Sequence, residues 1–457
     1  MYLCIIYNIN TRIMYTTTPC AKINLGLNIT EKRTDGYHNL ETVFYPVPVF
    51  DKIMITPNGT PPCTCTLSIE GTPVDGDTQN NLVAKAYRKL CERKPLPGVD
   101  IRLNKNIPMQ AGMGGGSADC AFTLVALNRM FHMGISEAEL QRMAASLGAD
   151  CAFFVKSQPC FATGIGDIMQ SVNLNLDSYW MLMVKPPVSV STKEAFSGIT
   201  PRKPQRQCRD IVENEPVEKW KELLVNDFEE SIFAIHPELA AIKQHIYNLG
   251  AEYAAMSGSG SALFGLFSHK PEIPDTETFK TNKCRIELFS MAGIREMFPI
   301  VNEEGETIGC TTRAYAHCGA KPLHPVVHLH VFNERGELYL QKRPEWKDIQ
   351  PGKWDTAVGG HIDMDETVEE ALLRETREEL GISGFCPEAL GNYVFESKVE
   401  KELVNVFRTY FNAPLHPSKT ELDGGRFFSP EEIAQRMGKG FFTPNFENEY
   451  TKVLQRL

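Results

Sequence analysis

The sequence lacks several features that would each have assigned a class. No apolar run reaches the roughly 18–20 residues a membrane-spanning helix needs, so no membrane role is expected. Although there are 13 cysteines, no CxxC pair occurs, and the tightest spacing is Cys63-x-Cys65. An odd count without framework spacing reads as reduced thiols packed as small hydrophobes, not as a disulfide scaffold or a cysteine zinc site. Positive charge is scarce as well: 47 Lys and Arg against 57 Asp and Glu leave a net charge of −10. That excludes the broad basic face of a duplex nucleic-acid binder but allows a local basic pocket for a phosphorylated small molecule. There is no internal repeat, no low-complexity tract and no signal for an oligomeric state. A cytoplasmic enzyme acting on small molecules is the expectation.

The chain has 457 residues, more than one hydrophobic core usually serves, so two or three domains are expected. Residues 1–13, MYLCIIYNINTRI, hold one short apolar stretch, Leu3–Tyr7, without a basic segment before it or a small-residue cleavage site after it. With Met14 standing before the first patterned strand, they read as an extra arm or a misassigned start. In Ala21–Thr30, Ile23, Leu25, Leu27 and Ile29 alternate as in a half-buried strand. Further strands are predicted around Val43–Val49, Val99–Leu103, Ala152–Phe154, Tyr179–Lys185 and Ala262–Phe267. Helices are predicted at Asn81–Arg93, Ala118–Met130 and Ser136–Leu147 and across Val217–Leu249. The charged, proline-containing stretch His269–Lys283 marks a linker. Beyond it, strands Val326–Phe332 and Leu338–Lys342 precede an acidic helix, Glu366–Leu380.

Two segments carry phosphate chemistry. In IPMQAGMGGGSADCAFTLVALNRM (107–130), glycines 112, 114, 115 and 116 let the backbone approach an anion, and Ser117 leads into a helix N-terminus. No lysine follows the glycines, so this is not the G-x-x-x-x-G-K-[ST] loop. Three further segments complete a pattern: Pro19-Cys-Ala-Lys-Ile-Asn24, Leu147-Gly-Ala-Asp-Cys-Ala-Phe-Phe154 and Met256-Ser-Gly-Ser-Gly-Ser-Ala262. In this order they resemble the GHMP kinase family. The stretch AKINLGLNI followed by DGYH (Asp35–His38) is similar to its branch acting on 4-diphosphocytidyl-2-C-methyl-D-erythritol. The resemblance spans roughly residues 14–268 and implies a two-lobed α+β kinase fold. It implies ATP as phosphoryl donor, Mg²⁺ bridging, Asp150 as general base, and Lys22 near the substrate oxygen, favouring its deprotonation and stabilising charge in the transition state. Pro108, Ala111, Gly112, Gly114, Gly115, Gly116 and Ser117 would hold the triphosphate, and Asn24, Tyr37, His38 and Thr192 would bind the substrate. The loop departs from the family at Gln110-Ala-Gly-Met and at Ala118-Asp119.

The second segment, running from Gly360 through Glu366, Arg374, Glu375, Glu378 and Glu379 to Gly381 and Ile382, fits Gly-x5-Glu-x7-Arg-Glu-U-x-Glu-Glu-x-Gly-U apart from Thr376 at an apolar position. Spacings of i, i+3 and i+4 put Glu375, Glu378 and Glu379 on one helical face, a hard oxygen set suited to Mg²⁺, with Mn²⁺ the alternative. This resembles the Nudix hydrolases, with an α/β/α fold over residues 295–457 and 269–294 as linker. The resemblance implies diphosphate cleavage, with Glu366 and Arg374 as a supporting pair and Gly359 as an added carbonyl ligand. Glu421 or Asp423 would supply a base. The run Pro351–His361 also resembles the branch near type I isopentenyl-diphosphate isomerases, but Gly359 stands where an isomerase needs cysteine. A binding or regulatory role is the other alternative. His328, His330 and His361 read as ordinary polar positions.

Overall fold

In the computed structural model, the described residues are 14–456 apart from 75, 274–276, 346–349 and 420; the arm at 1–13 lies outside them. The chain divides into two units. One ends at Arg295 and includes Thr312–Tyr315; the other comprises Glu296–Thr311 and Ala316–Leu457.

In the first unit, strands Cys20–Lys32 and His38–Phe50 pair antiparallel, with Lys22 opposite Pro46 and Asn24 opposite Phe44. Cys160–Thr163 and Ile168–Ser171 extend this sheet. Ile23, Leu25, Leu27 and Ile29 are buried as the alternation predicts, but Lys22, Asn24 and Asn28 on the other face are buried too. That face is therefore enclosed rather than solvated, and it places a lysine where water is scarce.

A second sheet runs Tyr15–Thr17, Lys52–Pro57, Val99–Lys105, Cys65–Gly71. Helices Leu82–Cys91 and Gly115–Met130 cover it, sending Tyr87, Leu90, Leu124 and Leu127 into a core with Ile53, Ile101 and Leu103. The second of these helices begins at Gly115, three residues earlier than predicted, so it starts among the glycines. A third sheet, in the order Tyr253–Met256, Leu263–Phe267, Trp180–Lys185, Arg285–Ser290, packs against helices Phe228–Ile235 and Pro237–Asn248.

Two expectations change here. The stretch after Asp150 is not a strand: a 3₁₀ turn, Ala149–Ala152, passes into a short helix, Phe153–Lys156. An apolar run of that length has no periodicity to separate the two, and burial of Phe153 and Phe154 decides. The predicted linker 269–294 carries a helix, Glu277–Thr281, and the strand Arg285–Ser290, whose backbone pairs with Trp180–Lys185. Its edge position explains its half-buried, charge-bearing sequence.

The second unit is built on a parallel pair, Leu323–Phe332 with Lys401–Tyr410, to which Leu338–Lys342, Val358–His361, Glu388–Glu396, Trp354–Asp355 and Gly425–Phe428 add. Helix Val368–Leu380 packs Ala371, Leu372 and Leu380 on Val327, Leu329 and Val331. Helix Pro444–Lys452 packs Phe446 against Leu338, Leu340 and Phe428, which alternate onto the other face. The layering is α/β/α. Among the described residues no helix is long and apolar enough to cross a membrane, and the twelve described cysteines are free.

Candidate active sites

The kinase-like site forms where four sequence-distant segments meet. Lys22 donates from Nζ to Asn24 Oδ1 at 2.6 Å and to the Gly112 carbonyl at 2.8 Å, and lies 3.7 Å from Asp150 Oδ2. Its own N–H donates to the Met113 carbonyl at 3.0 Å, which ties the strand to the glycine loop. Burial pulls the lysine below its ordinary pKa, and the Asp150 charge only partly restores it. Asp150 keeps about a third of its side chain exposed, 35%.

The glycine-serine turn locks the loop from the other side. Ser257 Oγ donates to the Gly112 carbonyl at 2.9 Å, and a Cβ at Gly112, whose φ is +72°, would overlap the Ser257 carbonyl. At Gly114 a Cβ would come within 2.8 Å of Phe154 and 3.3 Å of Lys22 Cε. These two glycines are thus required by close approach as well as by backbone conformation. Gly115 opens the helix, Gly116 and Ser117 continue its first turn, and Pro108 and Ala111 lie in the loop before it, with Ala111 buried.

The predicted substrate residues separate into two places. Asn24 sits beside Lys22 and donates to Thr42 Oγ1 at 3.0 Å. Tyr37 and His38 lie at the far end of the hairpin, where Asp35 pairs with Arg33 at 2.7 Å and accepts the Tyr37 N–H at 3.1 Å. Tyr37 is 61% exposed, a large aromatic plane left open. His38 stacks on Phe196, ring centroids 4.8 Å apart, and Phe196 belongs to the helix Thr192–Ser197. Thr192 is the first residue of that helix, four residues before Phe196.

Sequence reasoning missed two supports of this site. Asn226 is buried and donates to the Met256 and Gly258 carbonyls, both at 2.8 Å, shaping the turn that grips Gly112. Lys105 is buried, paired with Asp51 and, at 2.9 Å, with Asp119 on the glycine-loop helix. The signal for Lys105 was present: Val99, Ile101, Leu103 and Lys105 share one phase of a period-2 strand. Asn226 gave none.

In the second unit, the acidic helix is capped by Thr367 and Glu370 and closed by Gly381 at φ +66°. Arg374 organises it. Its guanidinium binds Glu366 through two bonds of 2.8 Å, Glu375 at 2.7 Å and Glu378 at 3.4 Å, and donates to the His361 carbonyl at 3.0 Å. That contact holds Glu366 below the usual carboxylate range, whereas burial pushes Glu375 up against the opposing pull of Arg374. Glu379 is buried and accepts from the Gly359 N–H at 3.2 Å and the Gln341 amide at 3.3 Å. Thr376, the departure from the motif, is fully buried with its hydroxyl donating to the Leu372 carbonyl at 2.6 Å, so its polarity is satisfied within the helix.

The two glycines differ. A Cβ at Gly360 would overlap the Glu375 carboxyl, so the motif requires glycine there. At Gly359 a Cβ would meet only the His328 ring, at 3.4 Å, ordinary contact. The missing isomerase cysteine at 359 is therefore a chemical difference rather than a steric one. Of the base candidates, Asp423 is exposed and paired with Lys342 at 2.6 Å; Glu421 is exposed, its N–H donating to the Ser418 carbonyl at 3.3 Å. His328 and His330 are not ordinary polar positions: both are buried on Glu449, His328 Nδ1 at 2.9 Å, and Tyr393 donates to the same carboxylate at 2.6 Å.

Both units match known protein families. The model of the GHMP kinases N terminal domain matches residues 81–158, that of the GHMP kinases C terminal matches 212–276, and the NUDIX domain model matches 322–446. These define the class, a GHMP kinase joined to a NUDIX domain. The 4-diphosphocytidyl-2-C-methyl-D-erythritol kinase of Bacteroides fragilis is 51% identical over 257 residues, covering 56% of this chain and 93% of the relative. The enzyme of that name from Bacteroides thetaiotaomicron is 48% identical over 261 residues, covering 57% and 95%. A solved 4-(cytidine 5'-diphospho)-2C-methyl-D-erythritol kinase covers 60% of this chain and 98% of its own, at 28% identity and a TM-score of 0.47. Through its first unit the chain belongs to the 4-diphosphocytidyl-2-C-methyl-D-erythritol kinase family.

Proposed function

We propose that the first unit phosphorylates the 2-hydroxyl of 4-diphosphocytidyl-2-C-methyl-D-erythritol with ATP, in isoprenoid biosynthesis, and that the second is a Mg²⁺-dependent Nudix hydrolase of a small diphosphate. The observation that carries the first is the desolvated Lys22 lying 3.7 Å from Asp150, beside the glycine loop. The hydroxyl proton passes to Asp150 as its oxygen attacks the γ-phosphorus. The bond to the β–γ bridging oxygen breaks, and ADP leaves with that electron pair. Lys22, poorly solvated, stabilises the charge on the attacking oxygen, and the amides between Ala111 and Ser117 hold the triphosphate. Tyr37 and His38 receive the cytosine, by its face and its edge.

For the second unit, the donor set fits a hard divalent cation. Glu375, Glu378 and Glu379 supply carboxylate oxygens from one helix, and a cation is what would keep the half-desolvated Glu375 ionised. The metal, when bound, would neutralise the diphosphate and activate water. Arg374 aims the carboxylates, and Gly360 leaves Glu375 the space to approach the strand. The kinase limit is proposed to extend beyond 268 to Arg295, since the strand Arg285–Ser290 pairs with Trp180–Lys185, and the Nudix unit to follow from Glu296.

The test uses the full chain. Asp150→Ala should lose phosphorylation of the diphosphocytidyl substrate with its fold intact, and undiminished turnover would sink the kinase assignment. A panel of nucleoside and prenyl diphosphates with Mg²⁺ should give phosphate or monophosphate release that Glu379→Gln removes. No release from any member would favour a binding role for the second unit.

A further inference from the structure

The Nudix carboxylates are not the tightest ligand group in the second unit. Among the described residues, one group of three or more His, Cys, Asp or Glu side chains brings a ligand atom of each within 4.8 Å of the others: His317, His324 and His361. They come from three elements, the helical turn Ala316–Ala320, the start of strand Leu323–Phe332 and the end of strand Val358–His361. Strand pairing sets His361 opposite Val326, two residues beyond His324 on the same sheet face.

Several contacts fix these rings. His324 Nδ1 lies 3.0 Å from the Pro322 carbonyl, which can only accept. Nδ1 therefore carries the proton and Nε2 keeps its lone pair, the tautomer and orientation that a second-shell carbonyl imposes on a metal-binding histidine. Phe298 stacks on His361 at 4.4 Å and 11°, and on His324 at 5.6 Å and 20°. Arg374 clamps the His361 carbonyl at 3.0 Å. An acidic partner is also in place: Glu400 Oε2 lies 3.4 Å from His317 Nε2. Glu402, two residues on along that strand, is register partner to His324.

We propose that His317, His324 and His361, with Glu400 beside them, form a second metal site in the C-terminal unit, selective for a borderline-soft divalent transition metal of the Zn²⁺ class. Three imidazoles and one carboxylate match the nitrogen-rich set such ions prefer, whereas Mg²⁺ favours oxygen. The site differs in chemistry from the glutamates of the acidic helix, and the strand Val358–His361 serves both. Gly360 faces Glu375, and the next residue, His361, turns to the other sheet face and joins the histidines.

The experiment strips the full chain with chelator, then dialyses it with Co²⁺ as probe against a large excess of Mg²⁺, reading metal content and visible absorption. A single equivalent of Co²⁺ should be retained with the absorption of nitrogen-ligated, low-coordinate cobalt. His324→Gln and His317→Gln should each weaken retention by at least roughly tenfold, while Glu379→Gln leaves it unchanged. Should the histidine variants fold poorly, Zn²⁺ titration of the unaltered chain serves, with three histidine ring resonances shifting together and saturating at one equivalent. Failure of the unaltered chain to retain Co²⁺, or retention lost in Glu379→Gln but not in the histidine variants, overturns the proposal. Metal retention is read without turnover, so this result stands apart from the hydrolase assay.

Discussion

The two catalytic regions solve the problem of handling phosphate in opposite ways. The kinase site concentrates its charge in one buried lysine and one half-open aspartate, and on the proposed reading main-chain amides would hold the triphosphate. Its parts come from residues as far apart as Lys22 and Ser257, and glycines 112 and 114 let them close on one another. The Nudix site is the reverse. Its functional groups lie within one helix and the loop before it, with Arg374 contacting Glu366, Glu375 and Glu378 at once. An assembled site depends on many distant contacts and defines a substrate closely; a helical motif depends on one local network and defines a chemistry. That explains why the first unit points to a particular alcohol while the second points to diphosphate cleavage.

This contrast can be broken by substitution. The largest effect is expected at Asp150: replacement by Ala should lower kinase kcat by roughly 10²–10⁴-fold, with diphosphate hydrolysis by the same preparation unchanged. Next comes Glu379→Gln, expected to cost about 10²-fold or more in hydrolysis through loss of a charged metal ligand and to leave kinase turnover intact. If either change depressed both activities equally, the sites could not be treated as separate chemistries. Gly360→Ala sharpens the comparison, because the added methyl would overlap the carboxyl of Glu375, one of the three proposed metal ligands, without removing a charge. Hydrolysis should fall by roughly tenfold or more, because the displaced carboxylate weakens metal retention. A moderate effect is expected from pH: the buried Lys22 has a depressed pKa, so the alkaline limb of kinase kcat/KM should fall below the 10.5 of an ordinary lysine. A kinase rate still flat at that pH would show that the lysine charge is not used.

How much could be read beforehand follows the same division. The acidic helix was legible almost to its ends, because its spacing, its Thr367 cap and its Gly381 stop are all local in sequence. The four kinase segments were legible as motifs, yet nothing in them showed that Ser257 would bond the Gly112 carbonyl, or that Asn226 would shape that turn. The structure sets Asp150 beside Lys22, but the strand expected at Ala152–Phe154 is helical, because three apolar residues fit either period. The histidines were undervalued. His324, His328 and His330 fall on one strand face, but His317 lies in a turn and His361 on another strand, and only pairing brings them near one another. Glu449, over a hundred residues away, gave no hint that it would sit beneath His328 and His330.

That buried Glu449 pair supplies the smallest effect, one of stability rather than rate. Burial alone would draw the His328 pKa down, but the Glu449 charge outweighs it and pushes the imidazole up from 6.5 to about 9. A group whose folded pKa is raised contributes stability that is fully present below its unfolded value and is lost as pH rises through the folded one. The window is therefore about pH 6.5 to 9. Glu449 runs the other way: despite burial, the two histidines hold it well below the usual range, so its contribution is present above 4.5 and lost in acid. Melting of the second unit should thus weaken from pH 6.5 to 9. His328→Asn should flatten the decline, since an amide does not titrate and can still bond Glu449. A variant whose melting falls over that window as steeply as the parent would show that the His328–Glu449 charge pair is not what ties this unit's stability to pH.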